Sequence, residues 1–202
     1  DVAPSRGLGD VYKRQVQKGR EPIRETAPEK GNSNYADLKM TSEKIMQKEF
    51  KKSETIPVIA RVAPIYDAEY TQNLRDRVFD AKENVAYIFN DGEYGFSFCC
   101  VFNLIDFING IINVPSGRYE GIYNLADSRL ITAKEIIDYE KEHHRIGAVI
   151  QKSPGMGLSI NKGKMKTDYR YFDPSITFNN WNIDNTRAKR IAPFRWTLSN
   201  TK

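Results

Sequence analysis

Tyr35-Ala36-Asp37-Leu38-Lys39 decides how this chain is read. A tyrosine and a lysine at this spacing lie one above the other on a helix. An ammonium held beside a phenol stabilises the phenolate, which makes the tyrosine a usable acid and base. Alone the spacing is weak evidence. With 11 tyrosines in 202 residues, about one such pair is expected by chance, and most are helix-surface contacts. The neighbouring sequence carries the decision.

Apolar residues at Tyr35, Leu38, Ile45, Met46 and Phe50 have helical spacing and predict a helix from 35 to about 52, with Asn32-Ser33-Asn34 as caps. The polar stretch before it, Gly19 to Asn34, contains Pro22 and Pro28 and reads as a loop. Ile56-Pro-Val-Ile-Ala-Arg-Val62 reads as a short buried strand, with Pro57 tolerated at its start. A charged helix is predicted over 68–82, then strands over 85–89 and 96–101 around an Asn90-Asp-Gly92 turn. Asn103 is placed to cap a helix whose apolar stripe is Leu104, Phe107, Ile108, Ile111 and Ile112. A strand over 121–126 follows, and Thr132-Ala-Lys-Glu135 is a capping box for a helix to about His144. A strand over 148–151 and a short helix over 183–191 complete the reading. Strands alternating with helices indicate an α/β fold. The helix at 35–52 and the strand at 56–62 would be the end of a doubly wound parallel sheet, which needs helices on both faces.

The composition is that of a soluble globular protein, 40% hydrophobic and 28% charged. No apolar run approaches the roughly 20 residues that span a bilayer, and no signal-peptide core is visible. The expected setting is the cytoplasm, away from membranes. Cys99 and Cys100 are the only cysteines, and on a strand they point to opposite faces, so no disulfide joins them. The net charge of +5 comes from lysine and arginine interleaved with glutamate, which indicates solvated faces and no nucleic-acid partner. The denser Lys162, Lys164, Lys166 and Tyr169-Arg170-Tyr171 cluster reads as an exposed basic loop. His143 and His144 near Glu140 diverge by about 100° on a helix, so no metal is expected there. No serine–histidine or cysteine–histidine triad can be assembled.

Residues 5–15, Ser-Arg-Gly-Leu-Gly-Asp-Val-Tyr-Lys-Arg-Gln, correspond to one reading frame of a common transposase sequencing adapter. Residues 1–15 are therefore expected to be a non-native, adapter-like leader, with the natural sequence beginning near Val16.

From there an ordered series runs along the chain. Pro22-Ile-Arg-Glu25 leads to Tyr35-x-x-x-Lys39, Glu43 and Pro57-Val-Ile-Ala-Arg61-Val-Ala-Pro64-Ile-Tyr66. Then come Asp91-Gly92, Ser97-Phe98, Val101, Asn103-Leu104, Gly121-Ile-Tyr-Asn124 and Thr132-Ala-Lys-Glu135. This series resembles the extended short-chain dehydrogenases, the NAD-dependent epimerase/dehydratase family that acts on nucleotide sugars. The likeness covers about residues 16 to 150, and more loosely Asp184-Asn-Thr-Arg-Ala188.

The resemblance implies the C-terminal part of a doubly wound Rossmann-like parallel sheet plus a smaller α/β substrate-binding region. Residues 16–66 would be the remnant of the dinucleotide-binding domain, and 67–202 the substrate-binding region and tail. Tyr35 would match the catalytic acid/base. Lys39 would hold the nicotinamide ribose and activate Tyr35. Ala63 and Pro64 would line the nicotinamide and sugar. The implied cofactor is NAD or NADP, the implied substrate a nucleotide sugar, and a homodimer is common among such proteins.

The chain also departs from the pattern. The third catalytic hydroxyl, a serine or threonine some two dozen positions before the tyrosine, would fall in the adapter-like stretch. The glycine-rich turn that seats pyrophosphate is absent, since neither Gly7-Leu-Gly9 nor Gly155-Met-Gly157 has its third glycine. Phe96 stands where some members have a phosphate-gripping arginine, and Asn103 where an aspartate is common. Arg118 and Arg129 read as surface residues. The 202 residues alone are expected to be inactive. The alternative is a non-catalytic binding protein that kept the fold.

Overall fold

A computed structural model describes residues 22–27, 34–51, 54–80, 85–89, 91–114, 119–152 and 182–201. The adapter-like leader, Arg118, the Gly155–Gly157 turn and the 162–171 cluster lie outside the described residues. The elements run α1 (Asn34–Phe50), β1 (Val58–Val62), β2 (Ile65–Tyr66), α2 (Gln72–Arg75), β3 (Phe79–Asp80), β4 (Val85–Phe89) and β5 (Gly95–Phe96). Then follow β6 (Cys99–Cys100), α3 (Val101–Ile112), β7 (Gly121–Leu125), β8 (Ile131–Thr132), α4 (Ala133–Glu142), β9 (Ala148–Lys152) and a 3-10 turn at Ala188–Arg190.

The chain is α/β, and its centre is a parallel pair. β1 lies beside β7 in register from Val58 opposite Gly121 to Val62 opposite Leu125. Helices cover both faces of this pair, as a doubly wound sheet requires. On one face, Glu43 of α1 meets Arg61 of β1. On the other, Phe107 of α3 packs on Tyr123 of β7 with ring centroids 5.3 Å apart. Phe107, Tyr123, Leu125, Ala63 and Cys99 form one core, which Ile183, Ala188 and Phe194 of the C-terminal segment close. The expected strand at 121–126 therefore completes the sheet begun by the strand at 56–62.

A second layer packs beside it. β4 pairs with β9 in parallel and with β3 antiparallel. α4 covers them, with Ile136 and Ile137 buried against Leu74, Val78 and Ala86. The capping box holds: the Thr132 hydroxyl accepts the Glu135 N–H at 3.1 Å, and Glu135 Oε2 accepts the Thr132 N–H at 2.8 Å.

Four local expectations change. The charged helix over 68–82 shrinks to α2, because the Val78 carbonyl accepts the Tyr87 N–H of β4 at 2.7 Å instead of continuing a helical ladder. The strands at 85–89 and 96–101 do not form a hairpin. After Asp91, Gly92 adopts φ +76° and the Gly92 and Tyr94 carbonyls accept N–H groups from the start of α4. That draws β5 to β8. Asn103 is no cap: Cys100 occupies that position, and Asn103 is buried inside α3. Finally, only Ala188–Arg190 of 183–191 is helical, since Ile183 forms a parallel bridge with Ile23. Among the described residues no helix is long and apolar enough to cross a membrane.

Candidate active site

The site is built on the face of β1 that meets α1. Alternation puts Ile59 and Arg61 on that face, both buried. Arg61 donates through Nε to Glu43 Oε1 at 3.2 Å and through Nη2 to Glu43 Oε2 at 2.9 Å. Its Nη1 donates to the Glu25 carbonyl at 2.9 Å. Glu25 Oε1 accepts the Asn124 N–H of β7 at 2.9 Å. The fork geometry of arginine suits two carboxylate oxygens and a carbonyl together.

The direction of α1 follows from what surrounds this pair. Gln47 and Lys51, nearer the end of α1, line a pocket of about 340 Å³ with Pro57, Ile59, Gly121 and Ile122. The carboxyl end of α1 therefore sits over the amino ends of β1 and β7, and α1 runs antiparallel to β1. Tyr35 and Lys39 lie on its opposite half. Lys39 Nζ is 5.3 Å from the Tyr35 ring centroid. Tyr35 is 45% exposed, and Lys39 is exposed too.

Beyond β1 the backbone is locked. Ala63 donates its N–H to the Leu125 carbonyl at 2.8 Å, and the Pro64 carbonyl accepts the Cys99 N–H at 2.9 Å. Both residues are buried.

At the same carboxyl end, Asp127 follows β7 and ties three segments together. Its Oδ2 accepts the Tyr66 hydroxyl at 2.6 Å. Its Oδ1 accepts the Cys100 N–H and the Asn103 amide, each at 2.8 Å. Asn103 also donates to the Trp196 carbonyl at 2.8 Å and accepts the Trp196 N–H at 3.0 Å, fixing the C-terminal segment. Burial pushes the Asp127 carboxyl up to about 6, against the pull of its three donors and of Arg129. Burial, then the Asp127 charge, drives the Tyr66 phenol well above its ordinary value. The Cys99 and Cys100 thiols are raised, chiefly by burial.

The remaining candidates are structural in their contacts. Phe96 is 3% exposed and packs edge-on against Tyr94 and Phe98. Arg129 is a surface residue paired with Glu135 at 2.6 Å. His143 Nδ1 lies 2.7 Å from the Tyr139 carbonyl. Among the described residues no group of three or more His, Cys, Asp or Glu side chains is arranged to hold a metal. Sequence reasoning passed over Tyr66, Asp127 and the pairing of Glu43 with Arg61. A signal existed for Asp127, because it directly follows the strand expected at 121–126, where α/β sheets place their ligands.

No family model matches the chain, and no curated protein matches it. Solved structures do. The UDP-glucuronic acid 4-epimerase of Bacillus cereus in complex with NAD superposes with a TM-score of 0.63 at 15% identity, over 96% of this chain and 56% of that one. The RMD structure from Pseudomonas aeruginosa complexed with NADPH gives 0.60 at 14% identity, over 95% and 60%. The dTDP-glucose 4,6-dehydratase of Bacillus anthracis in complex with NAD gives 0.55 at 17% identity, over 96% and 55%. The chain thus has the Rossmann-like fold of these structures. It spans somewhat more than half of their length.

Proposed function

We propose that the chain is part of a member of the NAD-dependent epimerase/dehydratase family, an NAD(P)-dependent enzyme acting on nucleotide sugars. The observation that carries this reading is the antiparallel seating of α1 on β1 in a fold shared with such enzymes. Counting outward from the Glu43–Arg61 contact, Lys39 lies about 6 Å toward the start of α1, the rise of about two strand residues, at the level of Ala63. Tyr35 lies about 12 Å out, at the level of about Ile65. The exposed phenol and ammonium would then lie at the level of the carboxyl end of β1, where open α/β sheets bind ligands.

The donor set fits a nicotinamide dinucleotide. Lys39 would hold the ribose hydroxyls and stabilise the Tyr35 phenolate. Tyr35 would pass a proton to or from a sugar hydroxyl or carbonyl. Ala63 and Pro64, fixed by their backbone hydrogen bonds, would form the floor beneath the reacting ring. The bound cofactor supplies the hydride chemistry. Among the described residues no glycine-rich turn is present to seat the pyrophosphate, so the 202 residues alone do not carry out the reaction in this reading. Exposed Leu38, Ile45 and Met46 on α1 support a homodimer in the longer protein. Two free buried cysteines fit a reducing cytoplasm.

A second reading, a binding protein that kept the fold without the chemistry, is favoured by Phe96 and Asn103. Both are consumed by packing and internal hydrogen bonds and offer nothing to a ligand. Assay of the longer protein that contains this chain separates the two. Incubated with NAD(P) and a panel of UDP- and dTDP-sugars, the enzyme converts at least one. Saturable binding of a nucleotide sugar without turnover supports the binding protein instead.

A further inference from the structure

Glu43 and Arg61 are 8% and 7% exposed, so both charges have left water. Removing two ions from water costs several kcal/mol each, and their mutual attraction often does little more than repay it. Apolar residues of similar volume at the same positions are commonly as stable. What such a pair does supply is a unique setting. Each carboxylate oxygen has its own guanidinium nitrogen, and the third donor is spent on the Glu25 carbonyl. Glu25 in turn accepts from Asn124, whose side chain donates to the Ile23 carbonyl at 3.0 Å. One guanidinium thus links α1, β1, the 22–25 segment and β7 at a single depth of the sheet. The other fully buried side chain of α1 among the described residues is the methyl of Ala36. A methyl group allows a helix to slide or roll, whereas a two-point ion pair does not.

We propose that the buried Glu43–Arg61 pair is a positioning device, setting the axial and rotational placement of α1 on β1 and so bringing Tyr35 and Lys39 to the segment that follows β1. The placement is a statement about geometry. Its functional meaning rests on reading Tyr35 and Lys39 as the catalytic pair. Tyr35, Lys39 and Glu43 form one row at four-residue spacing that winds from the flank of α1 to its sheet-facing side. A roll of the helix therefore moves all three together. Ala36 reports the setting. It lies seven residues before Glu43 on the same face, about 10 Å along the axis, which is the level of about Pro64.

The test is methyl NMR of the whole 202-residue chain. In the wild type, cross-peaks join the Ala36 methyl to protons of the segment that follows β1, and their absence overturns the proposal. In Glu43→Met/Arg61→Met the cooperative melt is kept and these cross-peaks are lost or replaced. A folded double variant with the wild-type cross-peaks shows that the pair does not set the placement. A double variant that fails to fold also counts against it, since the pair would then act through stability. Turnover of the longer protein separates this from the functional reading. If the cross-peaks behave as stated while Tyr35→Phe leaves turnover intact, the positioning stands and the catalytic reading falls.

Discussion

Replacing Asp127 with asparagine removes a pH dependence that the wild-type chain is expected to show. Asp127 is 6% exposed. Tyr66 from β2, Cys99 and Cys100 from β6 and Arg129 from its own loop are the titratable groups that act on it. Burial raises its carboxyl from the usual 3.8 to about 6. The folded state therefore holds the proton more tightly than the unfolded chain. Stability from this group is fully present well below about pH 4 and is lost as the pH rises through about 6. At about 1.36 kcal/mol per pH unit, the full loss is about 3 kcal/mol. Asp76, also raised by burial, adds in the same direction, while Asp184, lowered chiefly by its hydrogen bond to Thr186, opposes. The difference between wild type and Asp127→Asn isolates the one group. Urea unfolding of both proteins from about pH 4 to about pH 7.5 measures it. The stability of wild type relative to the variant should fall by about 2 kcal/mol across that range, the rest of the loss lying below about pH 4. A constant difference, or one that grows with pH, refutes the burial argument. It would mean that the Tyr66, Cys100 and Asn103 donors outweigh the desolvation.

Three further substitutions test the architecture. Phe107→Ala empties the contact between α3 and Tyr123 and should cost about 3–5 kcal/mol in denaturant unfolding. Glu43→Met alone leaves the Arg61 guanidinium buried without its carboxylate. A loss of about 3–5 kcal/mol is expected by thermal or urea melts, which the Glu43→Met/Arg61→Met double variant should largely restore. Thr132→Ala breaks the capping box at the start of α4 and should cost about 1 kcal/mol, read from the same melts.

Much of this fold was legible along the chain, because the signals were local. The helix carrying Tyr35, the strands at 58–62, 121–125 and 148–152, and the Thr132 capping box all rest on spacing or on neighbouring side chains. The misses were tertiary. The 68–82 stretch has the composition of a charged helix, yet β4 takes the Val78 carbonyl and ends it. Asp91-Gly92 has turn chemistry, but the start of α4 decides where the turn leads. Asn103 has the side chain of a cap, and a buried carboxylate 24 positions away claims it. The candidate site divides the same way. Tyr35 and Lys39 are singled out by their spacing only together with the ordered series that follows them. Arg61 and Glu43 are 18 positions apart, Tyr66 and Asp127 are 61 apart, and no periodicity predicts either pair.

If the proposed function holds, Tyr35 is the acid/base of a nucleotide-sugar enzyme, with the Lys39 ammonium beside it, 5.3 Å from the ring centroid. The direct measurement is turnover of Tyr35→Phe in the longer protein, with its nucleotide-sugar substrate and NAD(P). Loss of the phenolic proton should lower kcat by about 100-fold or more while KM stays close to wild type. A variant that turns over at the wild-type rate contradicts the account.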